Sequence, residues 1–370
     1  MKKTIGLYVH IPFCVKKCAY CDFASFSGRE GDEETYVDAV LREAERRSGL
    51  EADIATLYIG GGTPSILPPQ LMNRLLSGLR KRFVFLPDAE CSCECNPGTV
   101  TADFLSVLRS HGINRLSFGA QAAQPRLLSL LGRIHTWARV EESVELARQA
   151  GFQNINLDLM LGLPTQTIED VKETLEAALQ LSPTHLSCYG LIVEEGTQMR
   201  RMVESGAWTL PDEDTEREMY ELCRETLFRH GFAQYEISNF ALPGFACRHN
   251  VDCWKRKEYI GLGSAACGFL GSTRYQNPPL LSDYLAGKPA EETGLSPEDA
   301  MFESVMLGLR MTEGVSNRDF LRMHGVSINE VYGEKLRKPL AQGLIAWHGD
   351  RLRLTRRGMD VQNSVLVELL

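Results

Sequence analysis

Three cysteines fall within eight positions of the stretch HIPFCVKKCAYCDF: Cys14, Cys18 and Cys21. On a tight loop this spacing can bring three thiolates into one small volume, where they suit an iron-sulfur cluster or zinc. A structural zinc site wants a fourth cysteine or histidine close by, and two positions past the last thiol the chain has Phe23. Three thiolates on a four-iron cluster instead leave one iron open to a substrate or cofactor. Thiols buried by chance as small hydrophobes are the alternative.

Other polar groups recur at similar places in the pattern. GGGTP, Gly60 to Pro64, ends a strand-like run; its glycines would let backbone approach a ligand, and its amides could grip a polar group. Glu94, Gln121 and Asp158 lie at or near the ends of three further runs. Singly, each reads as a cap or turn residue. At the carboxyl ends of successive parallel strands they would share one mouth with the thiols. Cys91, Cys93 and Cys95 alternate, so if Glu94 faces inward these three face outward helices and act as small hydrophobes.

The elements that would position these groups are six strand-like runs: TIGLYVHI, TLYIGGGT, AECSCECN, RLSFGAQ, NINLDLML and HLSCYGLI. Amphipathic stretches such as DEETYVDAVLREAERR and TWARVEESVELARQA separate them. Six alternating units predict an α/β fold with a parallel sheet, either a partial barrel or an open doubly wound sheet. Beyond it the sequence predicts a helix over about 211–230, a short strand QYEIS, a glycine- and cysteine-rich segment over 241–271 and a loop GSTRYQNPPL. A helix over 296–312 follows, then a helix and a hairpin turning at Gly349-Asp350, in the order of a winged-helix module.

The chain has 370 residues, 44% hydrophobic and 24% charged, which suits one large domain with a smaller appendage. Its formal charge is 40 minus 48, or −8, without long runs of one sign, which argues against a dedicated nucleic-acid or anionic-membrane binder. The basic residues of the tail are interrupted by acidic ones, so no nucleic-acid partner is expected. MKKTIGLYVHIPFC begins like a signal peptide, but its short apolar run meets Pro12 and a cysteine rather than a cleavage site. Eleven cysteines suit metal ligands and buried thiols in a reducing compartment, so a cytoplasmic location is expected.

CVKKCAYC has the C-x3-C-x2-C form, with an aromatic, Tyr20, directly before the last cysteine, and in this it resembles the radical S-adenosylmethionine (SAM) enzymes. The resemblance implies a 4Fe-4S cluster on Cys14, Cys18 and Cys21 whose open iron chelates SAM and whose electron cleaves the sulfonium to a deoxyadenosyl radical. Along its whole length the pattern is similar to the HemN/HemW group, the oxygen-independent coproporphyrinogen oxidases and their heme-chaperone relatives. That likeness implies a partial (β/α)6 barrel over 1–240, a smaller α/β extension over 241–290 and a mostly helical, winged-helix-like domain over 291–370. It also implies SAM contacts from Tyr8, Tyr20, Gly61, Gly62, Thr63, Glu94, Gln121, Arg133 and Asp158, with Arg133 able to pair a carboxylate.

Within the group, the oxidases carry a further cysteine where this chain has Phe23, and an N-terminal extension before the first strand. The chaperone branch carries H-N-x2-Y-W, and residues 249–254 read HNVDCW. His249, Asn250 and Trp254 match, while Cys253 stands for the tyrosine. A histidine and an aromatic on one loop suit heme, as iron ligand and stacking surface, and a Cys253 thiolate could also bind heme iron. A zinc or second-cluster site from Cys247, His249, Cys253 and Cys267, or a buried loop with a satisfied histidine, are the alternatives. The expected function is a heme chaperone of this branch, with coproporphyrinogen oxidation as the alternative. Heme or porphyrinogen, an electron donor protein and a heme-accepting, membrane-associated or respiratory protein are the expected partners.

Overall fold

The six apolar, β-branched-rich runs do form strands, buried along most of their length as parallel strands between layers must be. The computed structural model describes residues 2–370. In it β1 (Lys3–Ile11), β2 (Ala52–Gly61), β3 (Phe85–Cys95), β4 (Arg115–Gln121), β5 (Asn154–Leu161) and β6 (His185–Gly190) pair in chain order, all parallel. Helices Glu33–Arg47, Pro69–Arg82, Ala102–Ser110, Trp137–Gln149 and Ile168–Gln180 connect them. Their apolar stripes, such as Tyr36, Val37, Val40 and Ala44 on the first, pack on the outward residues of the strands.

Strand alternation then decides what lies inside. Leu57, Ile59, Cys91, Cys93, Cys95, Leu116, Phe118, Leu157 and Leu186 join the apolar core under the helices. The three alternating cysteines are thus core residues, and Arg80 of the second helix donates to Cys91 Sγ at 3.5 Å. The opposite face carries Thr56, Tyr58, Ser92, Glu94, Arg115, Ser117, Asn156, Asp158 and His185, several of them hydrogen-bonded to one another across strands. The barrel interior is polar.

After the helix Glu213–Arg229 the chain returns to both edges of this sheet. β7 (Ala233–Gln234) and β8 (Asn239–Ala241) add antiparallel strands beside β6. β9 (Tyr259–Leu262) pairs in parallel with β1, and β10 (Cys267–Leu270), β11 (Thr273–Gln276) and β12 (Glu291–Gly294) follow as antiparallel strands, giving one twelve-stranded sheet. QYEIS is therefore not one strand: Gln234 ends β7 and residues 235–238 form the bend to β8, and the expected loop GSTRYQNPPL contains β11. HNVDCW lies on a short helix, Arg248–Trp254, rather than a loop. The expected boundaries at 240 and 290 fall within continuous pairing, since β8 crosses the first and β12 follows the second.

The remainder builds its own core from Val305, Leu309, Phe320, Ile328, Leu336 and Leu352. Helices Pro297–Gly308, Asn317–His324 and Ile328–Ala341 pack with a small sheet of β13 (Val315–Ser316), β15 (Arg351–Leu354) and β14 (Ile345–His348), a winged-helix-like arrangement. Capping boxes at Ser296/Asp299 and Ser327/Glu330 start two of the helices. Among the described residues no helix is long and apolar enough to cross a membrane.

Candidate cofactor site

The loop after β1 carries the cysteine triplet and is fixed by backbone bonds. Cys14 N donates to Phe26 O at 3.0 Å, Phe26 N to Pro12 O at 2.7 Å, and Ala19 N to Leu131 O at 2.9 Å. Each thiol is half-buried and has a polar neighbour. Thr63 Oγ1 donates to Cys14 Sγ at 3.5 Å, Arg133 Nη1 to Cys18 Sγ at 3.5 Å, and Ser25 Oγ lies 3.9 Å from Cys21 Sγ. All three line one cavity of about 490 Å³ at the carboxyl ends of the barrel strands.

Among the described residues no group of three Cys, His, Asp or Glu side chains is gathered around a single ion position. Thiols that each bind a different iron stand around a wider space than ligands to one zinc. Three separated, cavity-lining thiols with donors at sulfur therefore fit a cluster and do not fit a mononuclear site.

The glycine turn after β2 brings backbone against this loop. Gly61 has φ +112°, and a Cβ there would lie 2.5 Å from the His10 ring. A Cβ on Gly62 would lie 2.7 Å from Phe13 O and 3.0 Å from Cys14 Sγ. The amides expected to grip a ligand are taken internally: Gly61 N donates to Glu94 Oε2 at 3.0 Å, Gly62 N to Ile11 O at 2.8 Å and Thr63 N to Phe13 O at 2.8 Å. Close packing of the loop is what requires glycine at both positions.

Glu94 also accepts from the Tyr58 hydroxyl at 2.8 Å, and burial raises its carboxyl to about 7. Burial likewise raises Asp158, which accepts from Asn156 Nδ2 at 2.7 Å and Ser117 Oγ at 3.3 Å. Gln121 has φ +68° and accepts from the Tyr189 hydroxyl at 3.0 Å. Arg133 has no carboxylate partner among the described residues; its guanidinium donates to Cys18 Sγ, to Asn96 Oδ1 at 2.7 Å and to Gly119 O at 2.8 Å.

Tyr20, Gly61, Gly62, Thr63, Glu94, Gln121, Arg133 and Asp158 all line the cavity with the thiols. Tyr8 does not; its hydroxyl meets His10 Nδ1 at 2.9 Å behind the wall. Asn96, Tyr58 and Tyr189 also line the cavity and were not among the residues expected to hold a ligand.

The helix Arg248–Trp254 lies under the cavity as its floor. His249 is buried at 6% exposure, with Nδ1 2.9 Å from Thr56 Oγ1, its ring stacked on Tyr58 at 5.2 Å and its amide donating to Glu90 Oε1 at 3.1 Å. Burial, then the charge of Arg115, lowers its imidazole to about 4. Of the three motif residues only Asn250 lines the cavity. Trp254 faces away, beneath the Arg310 guanidinium at 4.4 Å from its ring centroid. Burial pushes the Cys253 thiol up to about 12, so it is no ready thiolate, and Cys247 Sγ donates to Glu90 Oε1 at 3.5 Å. The zinc alternative through these cysteines does not form. As it stands, the motif is floor structure: neither its imidazole nor its indole is offered to a ligand in the cavity.

Residues 8–178 match the family model for the radical SAM superfamily, and residues 295–361 match the HemN C-terminal domain. A curated protein of Lactococcus lactis named heme chaperone HemW is 36% identical over 100% of this chain and 98% of its own length. Its namesake in Escherichia coli is 34% identical over 98% of this chain and 97% of its own. Among solved structures, the coproporphyrinogen III oxidase HemN of Escherichia coli, described as a radical SAM enzyme, superposes with a TM-score of 0.87 at 25% identity, covering 100% of this chain and 90% of that one. Phe23 stands beside the triplet in a chain that follows the chaperones from end to end, and it belongs to the HemW family within the radical SAM superfamily.

Proposed function

We propose that this chain is a heme chaperone that carries a SAM-liganded 4Fe-4S cluster, takes up heme and passes it to an acceptor protein. The observation that carries this function is the end-to-end identity of 36% to a relative named heme chaperone, against 25% to the oxidase whose backbone it shares. The open, apolar position of Phe23, where the oxidases were expected to have a further cysteine, supports it.

Cys14, Cys18 and Cys21 hold the cluster, and the donors from Thr63, Ser25 and Arg133 stabilise charge on sulfur. The cluster with SAM supplies one-electron chemistry when bound. Glu94, with a carboxyl near neutrality, and Asp158 stand ready to hold a cationic ligand group, while Gln121 offers its amide nitrogen because its oxygen already accepts from Tyr189. Arg133 keeps Cys18 in place through Asn96 and Gly119 rather than binding a carboxylate. Tyr8 supports the wall behind them. An electron donor protein, a heme-accepting protein and a cytoplasmic location complete the proposal.

The test is anaerobic incubation of the cluster-reconstituted chain with reductant and SAM, once with heme and once with coproporphyrinogen III, followed by chromatography. Stoichiometric heme capture without decarboxylated product is the expected result. Many turnovers of the porphyrinogen would instead make it an oxidase.

A further inference from the structure

We propose that heme docks at the mouth of the cavity, its ring against Phe23 and Ile192 and its propionates on Lys16 and Lys17, and not on the helix that carries HNVDCW. The inference rests on the chaperone function proposed above and gives the bound heme a location.

Large apolar side chains are normally scattered singly over a surface, and a cluster around a cavity marks a binding site. Here Phe23 is 60% exposed and Ile192 70% exposed, and both line the cavity. Val15 and Ile134, 56% and 54% exposed, stand on the two loops that meet where Ala19 N bonds Leu131 O. Phe23 follows β1 and Ile192 follows β6, so the apolar rim bridges the first and last of the six parallel strands. Heme is a flat apolar plate with two carboxylates on one edge. Such a plate needs apolar side chains for its faces and cations at one side only.

Charge fixes which side that is. The depth of the cavity holds Glu94 and Asp158, which would repel propionates. Arg133, the one guanidinium in the lining, is already bonded to Cys18, Asn96 and Gly119. The remaining cations in the lining are Lys16 and Lys17, both exposed; among the described residues neither makes an ion pair, and Lys17 Nζ meets only the Phe23 carbonyl at 2.9 Å. Asp22 and Glu194 are the acidic groups of the rim, and Glu194 follows Ile192 on the far loop. The two lysines outnumber Asp22 on the cluster loop, whereas the far loop brings Glu194 and no cation to the lining, so propionates belong on the cluster-loop side. His249, buried and bonded to Thr56, offers no competing place without unseating the floor.

The experiment titrates the cluster-reconstituted full chain with heme and with heme dimethyl ester, following the Soret band, with iron content as the control for an intact cluster. Phe23→Ser with Ile192→Ser should weaken both probes about tenfold or more. Lys16→Gln with Lys17→Gln should weaken heme by a similar factor and leave the ester as in the parent. Parent-like heme binding in both double variants, with iron retained, would overturn the docking site. Should the lysine or Phe23 variants lose iron, Ile192→Ser alone, which lies away from the thiols in the chain, decides the matter: weakened binding of both probes supports the site and unchanged binding overturns it. A parent that binds neither probe overturns the chaperone function itself, a separate failure.

Discussion

Nδ1 of His249 lies 2.9 Å from the hydroxyl of Thr56, a bond that spans 193 positions of chain and ties the floor helix to the second barrel strand. Removing the imidazole leaves the Thr56 hydroxyl buried and a gap against Tyr58. His249→Ala should therefore cost about 2 to 3 kcal/mol of stability, read from urea unfolding of the cluster-free chain. Heme uptake by the fraction that remains folded should be close to that of the parent. A variant of full stability that no longer takes up heme would make the histidine a ligand.

Cys18 is held between the loop and Arg133 Nη1. Cys18→Ser should abolish the brown absorbance and the bound iron of the reconstituted protein while leaving the circular dichroism unchanged. Retention of the parent's iron would contradict the ligand assignment.

Gly62 packs where a methyl group would meet Phe13 O at 2.7 Å, a backbone atom that cannot swing aside. Gly62→Ala should push the cysteine loop outward, lowering iron retention severalfold and stability by about 1 to 3 kcal/mol. Iron analysis after gel filtration and a thermal melt test both halves.

Glu94 titrates near 7 in the folded chain, against 4.5 as its ordinary value, because burial disfavours the carboxylate. Between those two pH values the folded chain keeps a proton that the unfolded chain has released, so raising the pH favours unfolding. The stabilising contribution is complete below about 4.5 and gone above about 7. Relative to Glu94→Gln, the cluster-free parent should lose about 3 kcal/mol across this window, measured by unfolding at a series of pH values. A parallel pH dependence in both proteins would place the titrating group elsewhere.

The barrel strands were legible because their signal is local: β4 and β5 coincide with RLSFGAQ and NINLDLML, runs that are apolar on the outward face and bounded by turns. The thiols were legible for the same reason, their spacing being contained in one loop. The floor was not. Seven residues of helix, Arg248–Trp254, hold no period long enough to read, and what secures them is Glu90, 159 positions before His249. β11 was hidden because its four residues lie between Gly271-Ser272 and Asn277-Pro278-Pro279, which read as one loop; β10 and β12 on either side make it a strand. Arg133 shows a subtler limit, since its chemistry allows a carboxylate but its neighbours turn out to be a thiol, an amide and a carbonyl.

β1 is flanked by β2 on one side and by β9 on the other, so the strand that leads into the three thiols is completed by residues 259–262. The cysteines leave the ribosome first, yet the support of their loop is among the last parts of the sheet to be synthesised. At about 5 to 20 residues per second, the roughly 240 residues between them take on the order of 10 to 50 s to make. For that interval the thiols are carried on a strand with one open edge. The loop that carries the thiols therefore gains its second flanking strand only once residues 259–262 have been made.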